Sequence, residues 1–106
     1  MPRSSKPGGL VSKVEYLGIE WTQVRLNPAC MRIRKKHNGY EPYVDYTVPD
    51  EMWSWLNRET GSRQSSYITE SQWWWDKDPK TDPRDILFHF RDPVIALKFK
   101  LTWGTV

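Results

Sequence analysis

Hydrophobic and polar positions alternate with the period of a β-strand near the start of the chain. Residues 12–26 read Ser-Lys-Val-Glu-Tyr-Leu-Gly-Ile-Glu-Trp-Thr-Gln-Val-Arg-Leu, and Val14/Tyr16 and Ile19/Trp21 are set between polar neighbours. This richness in β-branched and aromatic residues predicts one bent strand, or two short ones broken near Gly18. Asn27-Pro28 then marks a turn.

The next pattern is a hairpin over residues 30–48, with Asn38-Gly39 as a two-residue turn, because both residue types tolerate the positive φ that such turns need. That turn sets the register. Lys36 is expected opposite Glu41, Arg34 opposite Tyr43, Ile33 opposite Val44, Arg32 opposite Asp45 and Met31 opposite Tyr46. One face then carries Met31, Ile33, Val44 and Tyr46 and should be buried; the other carries Arg32, Arg34, Tyr43 and Asp45. Pro42 cannot donate to a ladder, so its strand should lie at an edge or be bulged there.

Val48-Pro49-Asp50-Glu51 reads as a helix start, with proline at the first helical position and two acids to complement the dipole. Met52, Trp53 and Leu56 share a face of that helix, which should end between Asn57 and Thr60 with Gly61 as its cap. A polar loop over 62–66 leads to a strand from Tyr67 to Trp75, closed by three consecutive tryptophans. Residues 76–83 form a charged loop interrupted by prolines, and Ile86 to Phe90 is a strand with Phe88 and Phe90 on one face. Asp92-Pro93 starts a second helix, with Ile95, Ala96, Phe99 and Trp103 on one face and Gly104 closing it. Leu97, Phe99, Leu101 and Trp103 also alternate as in a strand, which leaves that alternative open. The expected fold is α+β, an antiparallel sheet with two short helices on one face: a single domain over residues 11–106 behind a flexible basic tail, 1–10.

Length and composition agree with one core. The chain has 106 residues, 38% of them hydrophobic, yet 7 are tryptophan, so much of its apolar area comes in large rings. Cys30 is the only cysteine; it rules out an internal disulfide and should be a buried, inert thiol. The first nine residues have no apolar run behind their basic ones, so neither a signal peptide nor a membrane anchor is expected. Charge is uneven. Residues 1–40 hold 8 Lys/Arg against Glu15 and Glu20, a net of +6, and residues 41–106 hold 8 against 11 acids, a net of −3.

No nucleophile with a base, no carboxylate pair and no metal-ligand spacing stands out, so the chain is expected to be no enzyme and to need no cofactor or metal. His37 should be a solvated turn residue, and His89, alternating with Phe88 and Phe90, should point to solvent. Asp76, Asp78, Asp82 and Asp85 could surround Ca²⁺, but the loop lacks the glycine turn and terminal glutamate that calcium loops use.

The run Phe88-His89-Phe90 followed by Ala96, Phe99, Leu101, Trp103 and Gly104 resembles a pattern, Phe-x-Phe then Ala-x-x-Phe-Lys-Leu-x-Trp-Gly, in small uncharacterised proteins of tailed bacteriophages, particularly phages of marine bacteria. The resemblance implies a viral accessory protein acting in the host cytoplasm or in the virion. It implies no activity.

The expected function is therefore binding of another protein, a host factor or virion component. Its candidate interface is Trp74, expected to be exposed because Trp73 and Trp75 take the helix-covered face, together with Arg32, Arg34 and Tyr43 on the hairpin. The alternative is a small nucleic-acid-binding module in which Arg25, Arg32, Arg34, Lys35 and Lys36 meet phosphates beside Tyr40 and Tyr43.

Overall fold

The computed structural model describes residues 10–37, 39, 42–61, 67–81 and 84–104, without the side chains of residues 10, 34–37 and 42–44. The predicted tail up to residue 9, the loop over 62–66 and Asn38 of the predicted turn lie outside the described residues. The chain order is β1 (Leu10–Tyr16), β2 (Ile19–Leu26), β3 (Arg32–His37), β4 (Pro42–Thr47), α1 (Asp50–Thr60), β5 (Trp73–Lys77), β6 (Ile86–Phe90) and α2 (Pro93–Trp103).

The segment over 12–26 is two strands joined by Leu17-Gly18. Both turn residues are left-handed, at φ 56° and 76°, the conformation whose twist suits a two-residue hairpin. Gly18 adopts it freely, whereas leucine there costs on the order of 1 kcal/mol. Since Leu17 is exposed, Leu17→Asn is expected to raise the unfolding free energy by about 0.5–1 kcal/mol in a urea titration.

β1, β2, β6 and β5 form one antiparallel sheet in that order. The registers, Thr22 opposite Phe90, Val24 opposite Phe88 and Trp73 opposite Phe90, put Val24, Leu26, Ile86, Phe88, Phe90, Trp73 and Trp75 on one face. Both helices lie on that face. Phe99 of α2 sets its ring 4.7 Å from Phe88 and 5.0 Å from Phe90, and Trp53 of α1 meets Trp73 edge-on at 5.3 Å. Met52 and Leu56 from α1 and Ala96 and Phe99 from α2 complete the core. Met52, Leu56 and Phe99 each contribute roughly 1.5–3 kcal/mol of apolar burial, and Ala96 less. The α+β architecture with two helices on one face of an antiparallel sheet is thus the one the pattern predicts.

Local chemistry sets the helix ends. Asp92 accepts a hydrogen bond from the Val94 amide at 2.9 Å, with Pro93 in the first turn. Residues 93–103 are helix, so the strand alternative falls. In α1, Pro49 is the cap itself rather than the first helical residue, Asp50 and Glu51 occupy the first turn, and Gly61 closes the helix at φ 76°.

The β3–β4 hairpin differs from the prediction in two ways. Its register is shifted by two: Ile33 lies opposite Tyr46, Arg34 opposite Asp45, Lys35 opposite Val44 and Lys36 opposite Tyr43, and pairing ends with His37 opposite Pro42. A two-residue turn would have put Pro42 inside the ladder, where its missing N–H breaks a bond; the observed register moves it to the strand's first residue. The hairpin also stands apart as its own two-stranded sheet. Among its described side chains those at the base, Met31, Tyr46 and Val48, reach the core, whereas Ile33, expected to be buried, is 53% exposed. The predicted strand from Tyr67 is likewise shorter: Ile68–Glu70 is a 3-10 turn and β5 begins at Trp73.

Candidate functional site

The uncovered face of the four-stranded sheet carries the first candidate residue, Trp74. Strand registers align Ser12, Gln23, His89 and Trp74 in one row across all four strands. The His89 ring stacks on Trp74 at 3.8 Å and 11°, while Trp21 meets Trp74 edge-on at 5.9 Å and Tyr16 lies tilted against it at 5.2 Å. The Arg91 guanidinium covers Trp21 at 5.3 Å and is held by the backbone oxygens of Ser71 and Thr69. These contacts leave Trp74 only 9% exposed. The expected exposed anchor is therefore a buried ring, and Trp75, expected in the core, is half-buried beside Phe88. Strand alternation assigned the three rings to the right faces; what it could not contain is that aromatic neighbours from β1 and β2 close over the face no helix covers.

His89, expected at the solvent, is 4% exposed in this row. Burial pushes its pKa down to about 4, against the weaker opposing pull of the Trp74 backbone and the Asp76 carboxylate. The ring is neutral at pH 7. Its Nε2, 3.1 Å from the Gln23 amide nitrogen, accepts a hydrogen bond from that group. Ring contacts, the Arg91 guanidinium over Trp21, and hydrogen bonds from Gln23 to His89 and from the Trp21 indole to the Tyr16 carbonyl hold the cluster.

Arg25 is not free to meet phosphate. Its Nη1 donates to Asp78 at 2.8 Å and to Asp85 at 2.9 Å. Burial disfavours the guanidinium charge, but these two carboxylates outweigh it and raise the Arg25 pKa. The Lys80 amide and then Arg25 hold the Asp78 carboxyl below its ordinary range. The acidic loop is thereby committed to structure: Asp78 also donates its amide to the Asp85 carbonyl, and the Asp85 amide donates to Thr81. Asp82 lies outside the described residues. Among the described residues no three His, Cys, Asp or Glu side chains are grouped to hold a metal ion. Arg25→Gln leaves Asp78 without its cation, and it is expected to lower stability by roughly 1–3 kcal/mol, read as a lower urea midpoint at unchanged slope.

On the hairpin, Arg32 is exposed, 3.9 Å from the Asp50 carboxylate at the start of α1. Arg34 lies across from Asp45 and Lys36 from Tyr43; the side chains of Arg34, Lys35, Lys36 and Tyr43 lie outside the described ones. Trp74 lies in the four-stranded sheet, and Arg32, Arg34 and Tyr43 lie in the separate two-stranded one. Cys30 is half-buried, with its thiol pushed up to about 12 by burial, which disfavours the reactive thiolate.

The surface that sequence reasoning missed is the outer side of α2. Val94, Leu97 and Leu101, spaced three and four apart, are 60%, 51% and 65% exposed, while Ala96 and Phe99 on the opposite side are fully buried. A helix apolar on both sides leaves one side uncovered when it packs on a single sheet. The signal was present in the Leu97 and Leu101 positions, where it read as strand alternation. Lys98, on one flank, reaches Glu59 of α1 at 3.5 Å, and no acid lies within α2. Of the positions that carry the bacteriophage resemblance, Phe88, Phe90, Ala96 and Phe99 are in the core and Trp103 is half-buried, whereas Leu101 faces solvent. Among the described residues no helix is long and apolar enough to cross a membrane.

No protein-family model, curated protein or solved structure matches the chain.

Proposed function

We propose that this chain is a non-enzymatic protein-binding domain of the phage accessory type, which docks a host factor or virion component on the outer side of α2. The observation that carries this reading is the exposed stripe Val94, Leu97 and Leu101. Three aliphatic side chains more than half exposed leave on the order of 3 kcal/mol of apolar burial unrealised in the monomer. Such a stripe, rimmed by polar residues, is a usual mark of a docking surface. With Lys98 and Lys100 beside it and no acid in the helix, the fitting partner presents an apolar surface bordered by carboxylates. The nucleic-acid alternative retains Arg32, Arg34, Lys35 and Lys36 but has lost Arg25 to Asp78 and Asp85.

The test compares the wild type with Leu97→Glu/Leu101→Glu in capture from host lysate, with and without nuclease. Because both leucines are exposed, the variant should keep the wild-type melting curve. A protein retained by the wild type after nuclease treatment and lost by the variant supports the reading. Retention of the same protein by both overturns it. Capture that vanishes with nuclease and falls steeply with salt assigns the function to the basic hairpin instead.

A further inference from the structure

We infer that the outer edge of β1 pairs with β1 of a second copy of this chain, in a register fixed by Lys13 and Glu15. Sheet order leaves β1 at an edge, and among the described residues no strand lies beyond it. The edge spans seven residues, Leu10–Tyr16, and contains no proline. These are the conditions under which a strand accepts another.

The direction of each backbone group follows from the Leu17-Gly18 turn. In a two-residue hairpin the flanking pair, Tyr16 and Ile19, exchanges both hydrogen bonds, and such pairs then alternate along the ladder. Leu10, Ser12, Val14 and Tyr16 therefore turn their amides and carbonyls to β2. Val11, Lys13 and Glu15 turn theirs outward.

Side-chain charge selects among the symmetric ways of joining two such edges. With Val14 on the two-fold axis, Lys13 faces Glu15 of the second copy and Glu15 faces its Lys13. Ser12 faces Tyr16. Both Lys13–Glu15 pairs then fall where outward amides and carbonyls meet, so ion pairing and backbone bonding share one register. Centring on Lys13 instead opposes the two lysines and sets Val11 against Glu15, and like charges directly across a ladder are unfavourable.

The monomer carries a matching defect. Glu15 lies directly across from Glu20, and Lys13 leans to Glu20 at 3.8 Å. A second copy supplies a lysine on the open side of Glu15. The contact uses the same patch on both subunits, so it closes as a dimer rather than growing into a filament. Since α2 lies over β1, β2 and β6, the joined sheet would carry both α2 helices on one side. The inference stands independently of what α2 binds.

Sedimentation velocity on the full chain, over a concentration series at low salt, tests it. The wild type should form a reversible dimer. Lys13→Glu and Glu15→Lys should each raise the dissociation constant by about tenfold or more, because each reversal places like charges at two symmetric sites. The double reversal Lys13→Glu/Glu15→Lys should restore it to within a few fold. Circular dichroism checks that each variant is folded, and Lys13→Gln and Glu15→Gln replace any reversal that is not. A monomeric wild type up to millimolar concentration overturns the inference. So does a dimer indifferent to the reversals, or single variants that the double does not rescue. A dimer lost only in Leu97→Glu/Leu101→Glu would move the contact to α2 and overturn it as well.

Discussion

Replacing Trp73 by alanine is expected to lower the unfolding free energy by roughly 3–5 kcal/mol, a large part of what a domain of this size holds. The ring is fully buried, 5.3 Å from Trp53 and 6.4 Å from Phe88, so it joins α1 to the sheet edge. Trp74→Ala should cost nearly as much, about 2–4 kcal/mol, because it empties the space between His89, Trp21 and Tyr16. Phenylalanine at either position should cost less than half of the alanine loss. Much of the ring is kept, and each indole N–H, buried with no hydrogen-bond partner among the described residues, is removed. Urea titrations of the four variants check this. A loss below 1 kcal/mol for Trp74→Ala would mean that the ring is not enclosed in solution.

Acid is expected to destabilise the domain through His89. Its pKa in the folded protein is about 4, against an ordinary 6.5. Between these values the unfolded chain binds a proton that the folded chain refuses. The contribution of the neutral ring is therefore complete above pH 6.5, declines as pH falls toward 4, and has been lost below it. Over that window the loss is about 3 kcal/mol. Carboxylates also titrate there, and the His89→Gln variant carries all of them unchanged. The wild type should lose about 3 kcal/mol more than His89→Gln between pH 7 and pH 4. Parallel stability curves for the two proteins would show that the ring is hydrated.

What the sequence by itself determined is what depends on near neighbours. Asp92-Pro93, the acids after Pro49 and the glycines at 61 and 104 mark both helices, because caps act within one turn. Alternation over residues 86–90 put Phe88 and Phe90 on one face of β6, because strand geometry fixes which side each residue takes.

Only the tertiary structure decided the rest. Asn38-Gly39 is a local turn signal, but the register was set where Met31, Tyr46 and Val48 meet the core and Pro42 takes the end of the ladder, which shifted every pair by two. Arg25 was legible as a cation and not as a clamp, since its partners lie 53 and 60 residues away. For Trp74 and His89, period-two alternation named the face, and whether a face is wet depends on what lies across it. Here rings from strands distant in sequence cover it. On α2 the converse holds: Val94, Leu97 and Leu101 have the apolar character of a core, yet among the described residues no second layer buries them. Burial is a property of assembled surfaces, and residues widely separated along the chain set it.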